Sequence, residues 1–164
     1  MSGLIVDVRL VRVSDPAAAP LLEGLRLEYT SRYGANDELA RFPEAEFAPP
    51  HGAFIVLARD GETVAGGAFR RHDETTAELK RVWTHPGHRR AGFGRLVVGE
   101  LEREARSRGY RRIYLTTGPR QPEAVGLYLA SGYEPQFDVA SRPTAGPLAF
   151  IKNLRPYTSE RKLP

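Results

Sequence analysis

Residues 78–94 of this chain, ELKRVWTHPGHRRAGFG, set a strand, a stop and an arginine-rich glycine loop directly before a helix. The β-branched and aromatic run Leu79, Val82, Trp83, Thr84 stops at Pro86. Arg89-Arg90-Ala91-Gly92-Phe93-Gly94 then opens a helix that runs to about Arg108. Amides at such a helix start lack intrahelical partners, the dipole end is positive, and glycine lets the backbone approach an anion closely. A strand that ends this way makes a place for phosphate and points to an α/β chain.

Spacing excludes two common phosphate loops. Counting from Gly87, the pattern G-x-x-x-x-G-K-[ST] reaches Gly92, but Phe93 stands where lysine is required. Gly92 and Gly94 begin a dinucleotide fingerprint, yet Val97 occupies the place of its third glycine. What remains is R-x-x-G-x-G after a strand.

The chain has 164 residues, 41% hydrophobic and 27% charged, which suits one globular domain. We read that domain over residues 1–155, with a polar tail at 156–164. No apolar run approaches the roughly 20 residues needed to span a bilayer, so no membrane partner is expected. The start, MSGLIVDVRL, lacks a basic region and carries an Asp within its apolar stretch, so it does not read as a signal peptide. Zero cysteines excludes disulfides and thiolate ligands and suits the cytoplasm. Net charge is +4, from basic residues that are mostly arginine and are spread along the chain. A nucleic-acid stripe is therefore not expected; a ligand with several phosphates explains Arg89, Arg90 and Arg95 more simply.

Periodicity and punctuation give the order of elements. Residues 4–13 (LIVDVRLVRV) alternate, as a half-buried strand does. Asp15 and Pro16 start a helix carrying Leu21, Leu22, Leu25 and Tyr29, with Pro20 an awkward interior residue and Gly34 a stop. Residues 35–52 read as a short helix or a loop. AFIVLAR, Asp60-Gly61 and ETVAGGAFRR form a hairpin, and a turn at residues 72–75 leads to a strand at about 76–84. Phe93, Val97, Leu101 and Ala105 give the next helix an apolar stripe, with Glu100, Glu102, Arg103 and Arg106 elsewhere, and Gly109 ends it. A strand at 111–117, a helix at 122–131 and a final strand at 146–154 complete the domain.

Residues 121–133, Gln121-Pro122-Glu123-Ala124-Val125-Gly126-Leu127-Tyr128-Leu129-Ala130-Ser131-Gly132-Tyr133, supply a second signature. Together with R-x-x-G-x-G and the order of elements from Leu4 to Leu154, it resembles the GNAT superfamily of acyl-CoA-dependent N-acyltransferases. Gln121 stands where asparagine is common in that family, Arg90 where glycine is frequent, and Thr84 where valine is usual. The resemblance implies a mixed, mostly antiparallel sheet flanked by helices and splayed between its fourth and fifth strands. Acetyl-CoA would be the co-substrate, an amine the acceptor, and attack direct, with no covalent enzyme intermediate. The pantetheine arm would pair with main-chain groups of about Val82, Trp83 and Thr84. The pyrophosphate would rest on residues Arg89, Arg90, Ala91, Gly92, Phe93 and Gly94, with Arg95 adding charge, and Gln121 would join the cofactor site.

Tyr128 matches the family position of the general acid that protonates the CoA thiolate; as a plain structural residue it would be interior to an amphipathic helix. Glu78 matches a strand carboxylate that deprotonates the amine directly or through water. Its bland alternative is an exposed glutamate beside Lys80 and Arg81. His85 and His88 form H-x-x-H, but no third ligand is evident and Pro86-Gly87 interrupts them, so no metal is expected. Acceptor choice in the family lives in segments that here are roughly residues 26–52 and 134–147. Glu28, Tyr29, Asp37, Glu38, Glu44 and Glu46 offer an acidic mouth for a cationic amine, or merely a solvated surface. A homodimer through the final strands is common in such folds. The rival readings are a non-catalytic acyl-CoA-binding or regulatory module and a basic nucleic-acid-binding domain.

Overall fold

Continuous and alternating apolar runs decide which strands lie at the centre of the sheet. The computed structural model describes residues 5–36 and 38–156. In chain order its elements are β1 (Asp7–Leu10), α1 (Ala19–Tyr33), β2 (Ala53–Arg59), β3 (Glu62–Arg71), β4 (Thr76–Thr84), α2 (Phe93–Ser107), β5 (Arg112–Thr117), α3 (Pro122–Ala130), β6 (Glu134–Pro135) and β7 (Leu148–Asn153). One sheet runs β1-β2-β3-β4-β5-β7-β6. Its pairings are antiparallel except that of β4 with β5. This is the mixed, helix-flanked sheet expected from the sequence. Leu4, Asp37 and the part of the expected tail from 157 to 164 lie outside the described residues.

β2 is apolar without alternation because both of its faces are covered. Ala53, Ile55 and Leu57 join Val97 and Leu101 of α2 on one face. Phe54 and Val56 join Leu21 and Leu25 of α1 on the other. β3 and β4 complete the meander, and the β2–β3 turn places Asp60 and Gly61 at φ 52° and 81°, the two positive values that a tight hairpin turn of matching twist needs.

β1 corrects the expectation of a half-buried strand over residues 4–13. Only Asp7–Leu10 pair with β2, and all four are exposed at the sheet edge. The apolar residues around the strand, Val6, Val11 and Val13, are the ones that reach the core clusters. The helix start differs too. Asp15 accepts from the Ala17 amide at 2.8 Å and caps a separate 3-10 turn, Pro16–Ala18. α1 then begins afresh at Ala19, so Pro20 falls in a first turn, where its missing N–H costs nothing. Residues 38–40 and 44–47 form single 3-10 turns.

α2 buries Phe93, Val97, Leu101 and Ala105 as their spacing demands. Glu102, expected among its polar residues, is instead buried: it accepts from the Tyr133 hydroxyl at 2.8 Å and from Lys152 Nζ at 3.1 Å. β6, two residues long, had no sequence signal of its own.

α1 is pressed onto the sheet at Gly24. A Cβ there would lie 2.4 Å from Trp83 Nε1, and the indole is itself buried among Leu21, Leu25 and Phe54. Gly24→Ala gains about 1 kcal/mol of helix propensity. It must also displace a rigid buried ring, an overpacking cost of typically 1–3 kcal/mol. The variant should therefore unfold at lower denaturant with an unchanged slope, measured by urea titration.

Candidate active site

The loop between β4 and α2 is shaped by two left-handed residues. Arg90 has φ 68° and Gly92 φ 85°. Gly92 is the N-cap of α2 and has no side chain to satisfy the amides beyond it. The first backbone bond of the helix runs from the Leu96 amide to Gly92 O at 3.1 Å, so the amides of residues 93–95 point outward. Upstream, His85 Nδ1 accepts from the Gly87 amide at 2.9 Å and fixes the turn at Pro86–His88. Arg89 lies 3.4 Å from Glu28 of α1. Arg90 and Arg95 are exposed and make no ion pair among the described residues. Free amides, a positive helix end and unneutralised arginines fit a pyrophosphate. Gly94 packs against α3, since a Cβ on it would meet Leu127 at 3.3 Å.

Beside this loop the sheet opens. β4 and β5 pair only over Thr76–Glu78 with Arg112–Tyr114. Beyond that, β4 carries a bulge against β3: Lys80 pairs with Ala68, Trp83 with Gly66, and Arg81 takes φ 62°. A bulge increases local twist and bends the strand that carries it, so the later residues of β4 turn from β5 and leave main-chain groups without a strand partner. A cavity of about 620 Å³ occupies the opening. Its walls come from the end of α1 (Tyr29, Tyr33), the following loop (Glu38, Arg41, Phe42), β4, the β5–α3 turn, and Thr144–Pro147. The segments at 26–52 and 134–147 thus both reach it.

Of the expected site residues, Val82, Gln121 and Tyr128 line this cavity. Trp83 and Thr84 do not: the Trp83 side chain belongs to the α1-side core, and Thr84 lies by Gly94. The loop residues 89–95 stand outside it, at the start of α2. Gln121 Oε1 accepts from the Gly118 amide at 3.2 Å and the Tyr33 hydroxyl at 3.3 Å, tying the β5–α3 turn to α1. Arg32 reinforces this tie through Glu123 and through the Arg120 carbonyl at 2.7 Å.

Glu78 is buried, not exposed. It accepts from Arg70 Nη1 at 2.8 Å, has Lys80 Nζ at 3.8 Å, and does not line the cavity. Nor does the described part of the acidic mouth form. Glu28 is held by Arg32 and Arg89, and Glu46 by Arg70. Glu38 alone of those carboxylates lines the cavity, shared between Arg41 at 3.3 Å and Lys80 at 3.4 Å, while Glu44 is exposed elsewhere. Several cavity residues had not been expected as site residues, among them Tyr33, Arg41, Lys80, Arg81 and Arg120. The bulge that turns Arg81 inward has no signature in a run of ordinary strand residues.

The Tyr128 ring packs on Tyr133 and Phe150, with centroids 5.7 Å away in each case. Burial pushes its phenol up from the ordinary value, and the neighbouring Tyr29 adds to this. Burial is also the main cause at Tyr133, followed by the Glu102 carboxylate.

A phosphate-ready helix start beside a parted parallel pair defines an acyl-CoA-type transferase fold. The profile of the acetyltransferase (GNAT) family matches residues 19–133, and the chain belongs to that family. It is an acyltransferase. An uncharacterised N-acetyltransferase of Schizosaccharomyces pombe is 32% identical over 117 residues, 65% of this chain and 71% of its own. The uncharacterised N-acetyltransferase YjgM of Escherichia coli is 28% identical over 134 residues, 77% of this chain and 80% of its own. Among solved structures, a GNAT-family acetyltransferase of Staphylococcus aureus shares the fold with TM-score 0.71 at 16% identity, over 91% of this chain and 100% of that one. N-acetylglutamate synthase of Neisseria gonorrhoeae, solved with coenzyme A and N-acetyl-glutamate, does so with TM-score 0.67 at 14% identity, over 94% of this chain and 36% of that one.

The buried phenols set the alkaline limit of the fold. Unfolded tyrosines ionise near pH 10, whereas Tyr128 and Tyr133 keep their protons to higher pH when folded. Above about pH 10 the unfolded chain therefore binds fewer protons than the folded one. Stability is complete below that pH and falls above it, by up to about 1.4 kcal/mol per pH unit for each tyrosine. Urea titrations at about pH 9 and about pH 11 should show this fall, and Tyr133→Phe should make it shallower.

Proposed function

We propose that this chain transfers an acetyl group from acetyl-CoA to a primary amine by direct attack. The observation that carries this reading is the opening of the sheet between β4 and β5, flanked by the free amides of α2 on one side and by Tyr128 within. Acetyl-CoA supplies the thioester. Residues 89–95 hold its pyrophosphate through amides and arginines. The main chain of Val82, Trp83 and Thr84, which lacks a strand partner on its β5 side, aligns the pantetheine arm, and one free N–H there stabilises negative charge developing on the carbonyl oxygen. The amine nitrogen bonds to the carbonyl carbon as the carbon–sulfur bond breaks. Tyr128, whose phenol stays protonated, gives its proton to the departing thiolate. The cytoplasm is the expected setting.

The base we assign is Glu78. An ammonium with a pKa near 10.4 must lose a proton before it attacks. Glu78 is ion-paired and set back from the cavity, so its action on the amine runs through a water.

Incubating the protein with acetyl-CoA and a panel of amines, and reading free thiol with a thiol-reactive dye, tests the reaction. The protein has no cysteine to add background. Amine-dependent release is expected; binding of acetyl-CoA by calorimetry with a flat trace for every amine would favour the non-catalytic module. Tyr128→Phe should lower kcat by at least about tenfold, roughly 1.4 kcal/mol of barrier, with acetyl-CoA binding retained. Retained turnover would remove Tyr128 as the acid. Glu78→Gln should lower kcat/KM about tenfold near pH 7 and less at high pH, where the amine is already free. An unchanged pH profile would move the base to Glu38, the carboxylate on the cavity wall.

A further inference from the structure

Charge on the cavity wall runs against the acidic mouth. Its described ionisable side chains include Arg41, Lys80, Arg81 and Arg120, with Glu38 as the carboxylate among them. Glu38 is already committed to Arg41 and Lys80. Arg120 donates to the Arg32 carbonyl at 3.0 Å. Arg81 is different. Its guanidinium is half-buried, donates to Leu39 O at 2.7 Å, and lies 4.5 Å above the Phe47 ring. Among the described residues no carboxylate forms an ion pair with it. A guanidinium has five donors in a planar fork, and the bond to Leu39 O engages one nitrogen of this cavity-lining residue.

Arg81 occupies φ 62°, a left-handed conformation that is unfavourable for a non-glycine residue. It is also on the α1 side of the sheet with Phe47 and Phe42, whereas the phosphate loop opens α2 on the opposite side with Phe93 and Ala91. The phosphates and Arg81 are therefore served by different faces. Burial lowers the Arg81 guanidinium from its ordinary value, opposed by Tyr29 and Glu38.

We propose that Arg81 receives the carboxylate of the acceptor, and that the acceptors are small amino acids. The inference rests on the acetyltransferase reading above and narrows it. Polyamines and aminoglycosides, being cationic throughout, would meet like charge at Arg41, Lys80 and Arg81. A carboxylate-bearing amine offers the fork a bidentate partner while its amine end lies toward the opening by Val82 and Tyr128.

The test uses matched acceptors in the thiol-release assay: α-amino acids, each against its own carboxamide. The carboxamide has the less basic amine and presents more free base at a given pH, so any preference for the acid comes from the protein. The acids should show kcat/KM at least about tenfold above their carboxamides, the scale of a good ion pair. Arg81→Gln should erase that ratio while leaving the carboxamide rate within about threefold, and Arg81→Lys should restore part of it. Because both substrates meet the same folded enzyme, the ratio is insensitive to loss of fold. Carboxamides used as well as acids, or an Arg81→Gln variant that loses both equally, overturn the proposal and leave the transferase reading standing. A flat trace with every acid and every carboxamide overturns both.

Discussion

The parting of two strands governs this molecule. Parallel strands gain from every further ladder bond, and burying main-chain polar groups without partners is costly. β4 and β5 nonetheless stop pairing after three residues each. The start is firmly held: the amides of Arg111 and Arg112 both donate to Thr75 O, at 2.8 and 3.2 Å. The end is turned aside by the bulge, where β4 spends an extra residue against Gly67 and Arg81 enters the left-handed region. An open seam in a sheet persists only if something polar fills it. Here the cavity and the free amides at the start of α2 both lie along that seam.

A seam also weakens the sheet mechanically, since the half carrying β5, β6 and β7 touches the rest through few residues of ladder. The compensation lies at the open end. α1 reaches across to the β5–α3 turn through Tyr33 with Gln121, Arg32 with Glu123, and reciprocal contacts of Arg32 and Arg120 with each other's carbonyls. Gly118 permits the close approach, because a Cβ there would lie 1.7 Å from the Tyr33 hydroxyl. These are exposed contacts, individually weak in water, and they hold by number and geometry. Tyr33, Gly118, Arg120 and Gln121 also line the cavity, so the tie that braces the two halves is part of its wall.

What could be read in the sequence was whatever depends on local chemistry. Asp60-Gly61 announces its turn because few residues accept two positive φ angles, and the four-residue steps of α2 record a helix lying on a sheet. R-x-x-G-x-G was legible for the same reason: its glycine and its helix start do their work within six residues. The rest depends on what comes near from elsewhere in the chain. Glu102 has the look of a surface residue until Tyr133 and Lys152, 31 and 50 positions away, enclose it. The glutamates of residues 28–46 resemble an acidic patch until Arg70, Arg32, Arg89 and Lys80 are folded against them. The bulge at Arg81 was invisible because register is a property of two strands, and nothing in one strand's pattern states how many residues its neighbour will oppose to it.

The raised phenol of Tyr128 bears directly on the proton step proposed for it. A donor whose pKa climbs is a poorer acid toward a fixed acceptor, and a tyrosine near 10 is already weaker than a thiol near 8.5. The acceptor here is not fixed. A thiolate released beside Tyr128, between it and Val82 and Ala124 of the cavity wall, would also lose part of its hydration. Burial thus raises both anions together, and the free energy of transfer depends on their difference, which changes much less than either value alone. What tips it is the residual field: whichever anion lies nearer to the helix start and to Arg89, Arg90 and Arg95 is favoured. On that proposal Tyr128 keeps its use as an acid because its own anion and the thiolate would be desolvated together.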